Sequence, residues 1–280
     1  MSTVLTTATC YLAASGAYLT NRGAVREHNE DACLFGVPVA QADLKRPVPV
    51  HLGGDRPWLL AVADGMGGEN AGERASREVV MALAECQAFT PSGVTNLLCR
   101  LNEHLFNLGQ PDVRLAGMGA AVAGLCFGPD GLFGFNVGDA RLYRLQDSFL
   151  ALVTEDDSLA QLLVEAGQAD RDALRPEERH ALTQSLGGRH ELVSIEPHIY
   201  PLRLRLADRF LLCTDGLTDC VSLDEIEAAV ASEPSPAAAV ERLFKAAMAA
   251  GGNDNITIIL ADVSTEQDEG AEETAAPPAQ

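Results

Sequence analysis

"WLLAVADGMGG", residues 58–68, is an apolar run that stops on a carboxylate and is followed by three glycines within four positions. "RFLLCTDG", residues 209–216, repeats the design. Trp58 to Ala63 is apolar throughout, the pattern of a strand buried on both faces. Asp-Gly is itself a favoured turn dipeptide, because Asp bonds its own backbone and Gly accepts positive φ. Each site alone therefore reads equally as a plain turn. What separates a turn from a ligand is whether other acids fall at matching places.

They do. Asp139 follows the run "LFGFNVG", Asp254 immediately precedes "NITIIL", and Glu30 and Asp31 open a run at "ACLFGV". With Asp64 and Asp215, five strand ends carry carboxylates. Strand ends of a packed sandwich can converge on one edge, and uncompensated carboxylates brought together repel, so convergence implies bound cations. Carboxylates without neighbouring histidine favour hard, oxygen-preferring ions such as Mg²⁺ or Mn²⁺. The six histidines show no zinc spacing, and only His28 lies near the acids in sequence. Gly65, Gly67 and Gly68 let backbone pass close to an ion, and the Gly65 carbonyl is a candidate ligand.

Bulk properties narrow the class. The 280 residues carry a net charge of −20 and are 47% hydrophobic. So acidic a chain lacks the basic footprint that a nucleic-acid backbone requires. No apolar run approaches the roughly 18 residues of a membrane span, and no basic n-region precedes Arg22. Seven cysteines without a C-x-x-C pair suit a reducing compartment. The expectation is a cytoplasmic monomer that binds neither membrane nor nucleic acid. The two lysines, Lys45 and Lys245, do not follow glycines, so there is no Walker A loop. "GMGGEN" breaks the dinucleotide pattern at Asn70, no serine sits in G-x-S-x-G, and neither Asp-Gly site has EF-hand spacing.

Along the chain, "AASGAYLT" and "ACLFGV" read as strands and residues 36–57 as a Pro/Gly-rich loop. Helices are predicted over about 69–88 and from Pro91, the latter with Val94, Leu97, Leu98, Leu101 and Leu105 as its buried stripe. Residues 116–153 read as antiparallel hairpins. Residues 155–184 read as a polar, helical surface element with a flap at 165–184. Strands are predicted at about 194–200, 202–206 and 209–213. Ser222 opens a helix with a capping box to Glu225, and Ser235-Pro236 opens another that stops at Gly251-Gly252. "NITIILADV" is the last strand, and from Ser264 the chain reads as a disordered acidic tail.

"RGAVREHNED", "VADGMGG", "NVGDAR", "LLCTDGLTD" and "GGNDNITIIL" together resemble the ordered motifs of the metal-dependent serine/threonine protein phosphatases of type 2C, in their bacterial form, over about Ala14 to Val263. The resemblance implies an α+β, four-layer αββα sandwich of two antiparallel sheets flanked by helix pairs, over residues 1–263, with 264–280 as tail. It implies two Mn²⁺ or Mg²⁺ ions sharing Asp64, with Gly65 and Glu30 on one, Asp215 and Asp254 on the other, and Asp31 acting through water. A third ion would use Asp139 with Asp215, and Arg26 would grip the substrate phosphate. The implied reaction is direct attack of a metal-bridging water or hydroxide on phosphoserine or phosphothreonine. The implied partners are phosphorylated proteins, a Ser/Thr kinase or its targets. The alternatives are a catalytically weak sensor or scaffold, and a phosphoesterase for small molecules. This chain departs from the bacterial pattern at Glu69, Ala120, Ala121, Ala140 and Asp157, and carries Met66, usual in the bacterial form, where some other family members place a histidine.

Overall fold

The computed structural model describes residues 11–53, 56–67, 71–170, 174–204 and 208–266. The chain begins with strands β1 (Tyr11–Asn21), β2 (Ala32–Phe35), β3 (Val39–Ala40), β4 (Val48–Leu52) and β5 (Trp58–Met66). Helices α1 (Ala71–Ala84) and α2 (Pro91–Gly109) and a short 3₁₀ turn (Val113–Leu115) follow. The hairpin strands are β6 (Gly119–Gly128), β7 (Gly131–Val137), β8 (Arg141–Gln146) and β9 (Phe149–Leu152). Next come α3 (Leu159–Glu165), α4 (Pro176–Arg179), β10 (Leu186–Gly187), β11 (His198–Leu202) and β12 (Asp208–Cys213). The chain closes with α5 (Asp215–Thr218), α6 (Leu223–Ser232), α7 (Pro236–Ala249) and β13 (Ile256–Glu266).

Every strand pairing among the described residues is antiparallel. One sheet runs β4-β1-β13-β12-β8-β9 and the other β11-β7-β6-β5-β2-β3, with β10 added against β6. The side-chain period of two explains how they stack. On β5, Leu60 and Val62 enter the core between the sheets, with Phe35, Leu142, Phe210 and Ile259. The alternate residues Leu59, Ala61 and Ala63 pack outward on α1 and α2, against Val79, Leu83, Leu98 and Leu105. The other sheet does the same, with Leu211, Cys213 and Ile258 packed on Ile226, Val240 and Leu243 of α6 and α7. A strand covered on both faces has no polar side, which is why Trp58–Ala63 is unbroken apolar sequence. The result is the αββα sandwich expected from the motifs.

Local signals set the helix starts. Thr90, Ser158, Ser222 and Ser235 each accept a backbone N–H at the first turn of the helix they cap, and Ser222 forms the full capping box with Glu225. Several boundaries differ from the sequence reading. The loop expected over 36–57 contains β3 and β4. In β4 the apolar Val48, Val50 and Leu52 alternate with exposed Pro49 and His51, and an edge strand tolerates the proline. The strand predicted at 194–200 begins only at His198, and the strand predicted at 202–206 is not seen as a separate element: β11 ends at Leu202, while 205–207 lie outside the described residues. Among its described residues, the stretch 155–184 holds two short helices, broken where Gly167 turns with φ +65°. The tail boundary at 264 moves: β13 continues to Glu266 because β1 pairs with it as far as Tyr11. The remaining tail, 267–280, and Glu69, at the predicted start of α1, lie outside the described residues.

At the end of β12 opposite Asp215, a buried ion pair closes the space between the sheets. Arg144 meets both oxygens of Asp208, at 3.0 Å and 2.5 Å, and lies over the Phe210 ring. Both residues are nearly inaccessible, at 6% and 4%. Removing one partner of such a pair strands a buried charge. Arg144→Ala is therefore expected to cost about 3–5 kcal/mol in urea unfolding; a loss below about 1 kcal/mol would contradict the buried-pair reading.

Candidate metal centre

The antiparallel registers decide where the acids go. Ala32 pairs with Ala63, Met66 with Gly119 and Val137 with Val122, so Asp31, Asp64 and Asp139 leave one sheet at the same end. Cys213 pairs with Ile258 and Arg141, and Asn21 with Ile256, so Asp215, Asp254 and the 22–30 loop leave the other sheet at that end too. Asp64 shares the strand face of Leu60 and Val62, so it continues the line of the inter-sheet core just where the core opens. There a cleft of about 920 Å³ is lined by Arg26, Glu30, Asp64, Asp139, Asp215 and Asp254, together with the Gly65 backbone.

Close backbone packing fixes the donors. A Cβ on Gly65 would overlap the carbonyl oxygens of Gly72 and Glu30, and one on Gly72 would press on the Gly65 carbonyl at 2.8 Å. The first turn of α1 thus clamps Gly65 against Glu30, and only glycine fits at either position. The Glu30 carbonyl accepts from Ser76 Oγ, and its N–H donates to Asn255 Oδ1 at 2.8 Å. Asn255 Nδ2 donates to the carbonyls of Arg22 and His28, so one side chain holds the whole loop that carries Arg26 and Glu30. Arg26 Nη2 reaches Asp254 Oδ2 at 2.6 Å from the rim of the cleft, with its side chain half exposed.

The charges are uncomfortable as they stand. Burial, then Asp31, Asp215, Asp139 and Asp254, push the Asp64 carboxyl well above the usual carboxylate range. Burial and the neighbouring acids raise Asp139 to about 7. Asp31 is buried beneath the cleft and raised to about 8 by desolvation, although Thr214 Oγ1 donates to its Oδ2 at 2.8 Å. Its Oδ1 is buried with no hydrogen-bond partner. Burial also raises Glu30 and Asp254. Asp215 alone is held low: burial opposes its ionisation, but His180 and a hydrogen bond from Asp64 outweigh it. Carboxyls forced to hold or share protons, an orphaned buried oxygen and all-oxygen donors around a glycine carbonyl fit hard divalent cations.

Seven of the eight site residues expected from sequence line this cleft; Asp31 lies under its floor. His28 is exposed and contributes its backbone carbonyl. His180, Ser185, Arg189, Asp219 and Cys220 also line the cleft and were not anticipated. His180 sits 3.4 Å from both Asp215 and Asp219, and one donor atom from each of the three falls within 4.8 Å of the others. That trio could hold an ion with a nitrogen ligand. Asp219 was within reach of sequence reasoning, because the i, i+4 spacing from Asp215 on α5 puts both acids on one face. His180 carries no local signal: it arrives from the irregular segment after α4.

Residues 50–261 match the family model described as protein phosphatase 2C, and the chain belongs to that family. It is 35% identical to the serine/threonine protein phosphatase PstP of Mycobacterium tuberculosis, over 87% of this chain and 44% of that protein. The chain thus spans less than half of that relative's length. It is 29% identical to the serine/threonine phosphatase Stp of Listeria monocytogenes, over 88% of this chain and 94% of that one. Among solved structures, the catalytic domain of PstP in complex with two manganese ions superposes with TM-score 0.71 at 33% identity, covering 90% of this chain and 99% of that chain.

The raised carboxyls make a test without substrate. A carboxyl whose folded pKa exceeds its unfolded value binds its proton more tightly when folded. That stabilisation is complete below about pH 4 and is lost as pH rises through the folded value. For Asp139 and Asp31 the loss falls between about pH 4 and 8. His180, raised first by its hydrogen bond to Asp215, works in the same direction. In chelator, the melting temperature should therefore fall as pH rises from 5 toward 8, and added Mn²⁺ should restore most at the high end. Asp64→Asn should flatten both trends. A metal-free protein that grows more stable over this window would contradict the crowded-carboxylate reading.

Proposed function

We propose that the chain is a metal-dependent protein phosphatase that hydrolyses phosphoserine and phosphothreonine in proteins. The observation that carries this is the convergence of Glu30, Asp64, Asp139, Asp215 and Asp254 from both sheets on one cleft, with Arg26 at its rim. Asp64, Glu30 and the Gly65 carbonyl would hold one Mn²⁺ or Mg²⁺ ion, and Asp64, Asp215 and Asp254 a second. Asp139 with Asp215 would hold a third, and His180 and Asp219 lie beside Asp215. Bound there, divalent ions supply Lewis acidity and bring water's pKa toward neutrality.

The chain's own groups do the rest. Asp64 and Asp215 would hold the ions. The Arg26 guanidinium, planar and always charged, presents a fork that suits two phosphate oxygens and offsets their charge as it shifts. Asp254 holds that fork in place. Asp31, buried and acting through water or an ion, supports the geometry from beneath. None of this requires a covalent phosphoenzyme. The acids that a sensor or scaffold would have shed are all in place. Partners are phosphorylated proteins, a Ser/Thr kinase or its targets among them. No helix among the described residues is long and apolar enough to cross a membrane, and the six described cysteines are free, as a cytoplasmic setting would leave them.

The deciding assay is Mn²⁺-dependent phosphate release from a phosphothreonine peptide beside a small aryl phosphate. Asp64→Ala and Asp215→Ala should each lower turnover by at least about 10²-fold without unfolding the protein; either variant retaining wild-type rates would remove the two-ion assignment. Arg26→Ala should raise KM about tenfold or more, the scale of a lost charged hydrogen bond, with metal binding unchanged. Preference for the aryl phosphate alone would point to small phosphoesters instead.

Asp139→Ala separates the third position from the pair. It should keep two tightly bound ions by metal counting, yet turn over about tenfold more slowly, the scale of one acid–base contribution. Unchanged kinetics would make Asp139 a turn residue.

A further inference from the structure

Asp157 follows β9 and takes no part in the acidic cluster, yet the Asp139 turn, the 182–189 wall and the start of β11 meet on it. Its side chain is 13% exposed. Its Oδ2 accepts the Gly138 N–H at 2.8 Å and Gln184 Nε2 at 2.9 Å, while Oδ1 lies 2.9 Å from His198 Nε2. The backbone joins in: Asp157 N–H donates to the Gly138 carbonyl, and Thr183 N–H donates to the Asp157 carbonyl. Gly138 immediately precedes Asp139. Thr183 and Gln184 belong to the segment that brings Leu182, Ser185, Gly188 and Arg189 to the cleft. His198 opens β11.

Neither neighbour has slack to spare. Gly138 turns at φ +95°, and a Cβ there would press on Ala121 at 2.5 Å. Its carbonyl also accepts from Asn136, whose Oδ1 is in turn held by Tyr200 of β11. Gln184 is stitched to Glu196 by bonds from both ends of its amide. The turn that presents Asp139 is therefore tied to β11, and the wall that presents Arg189 to the stretch leading into it. Asp157 is the side chain that bonds both of them directly.

We propose that Asp157 is a positioning residue that fastens the 182–189 wall to the Asp139 turn, so that the cleft is preformed before substrate enters. Its kinetic consequence rests on the phosphatase reading above. The coupling itself is a property of the fold and is measured separately.

Hydrogen exchange by mass spectrometry on the metal-free chain tests the coupling. In Asp157→Ala, peptides covering Gly138 and 182–189 should exchange about tenfold faster or more, as local openings become easier, while β1, β5 and β13 keep their protection. Asp157→Asn should recover most of the protection, since its amide can still accept from Gly138 or Gln184 and donate to a neutral His198. Gln184→Ala, a milder cut at the wall side, should loosen 182–189 more than Gly138. In the Mn²⁺ assay, Asp157→Ala should lower kcat several-fold and raise the Mn²⁺ needed for half-maximal rate, with two tight ions still counted, and Asp157→Asn should restore both. Unchanged exchange at both segments would overturn the proposal, as would uniformly faster exchange across the sandwich in all three variants. If the wild-type chain releases no phosphate, the phosphatase reading falls while the exchange result still decides the coupling.

Discussion

Mutual repulsion among half-buried carboxylates is the constraint on which the functional end of this molecule depends. Two sheets, each packed on its own helices, deliver their acids to one opening. Without a counter-charge, Asp64 and Asp139 are driven toward their protonated forms and Asp215 stays ionised by borrowing hydrogen bonds. Such an arrangement costs stability and contributes nothing to packing. Cations relieve it, and the hard oxygen donors select which cations. The core elsewhere supports this cost: both faces of each sheet are covered, so the strand ends are held although their tips repel.

Precision at the opening comes from small residues and amides rather than from large side chains. Gly65 and Gly72 meet with no room for a Cβ, which sets the Gly65 carbonyl beside Glu30. Asn255 spends its whole amide on the 22–30 loop. A substitution at any of these would shift ligands by a sizeable fraction of a bond length, the scale on which metal geometry fails. The opposite wall depends on Asp157, Gln184 and β11 instead, which places the cleft between one clamp built from glycine contacts and another built from side-chain hydrogen bonds.

Much of this was legible in the sequence, because strand ends are local features. The unbroken run Trp58–Ala63 announced a doubly covered strand, and acids at five strand ends announced a shared edge. The caps at Ser222 and Ser235 fixed helix starts for the same local reason. What stayed hidden is long-range. His180 and Arg189 reach the cleft from an irregular segment whose path is set by bonds to Asp157 and Glu196, which lie outside it. β4 was missed because Pro49 and its neighbours read as loop, while its pairing with β1 overrides that local preference. The extension of β13 to Glu266 likewise follows from the length of its partner, not from its own polar residues.

The central claim is that Asp64 stands between two ions at the end of the sandwich. Anomalous diffraction at the manganese edge, from crystals grown with Mn²⁺, tests it most directly. The account predicts two strong peaks flanking the Asp64 carboxylate, one beside Glu30 and the Gly65 carbonyl and one beside Asp215 and Asp254. Strong peaks elsewhere, or none within ligand distance of Asp64, would contradict it.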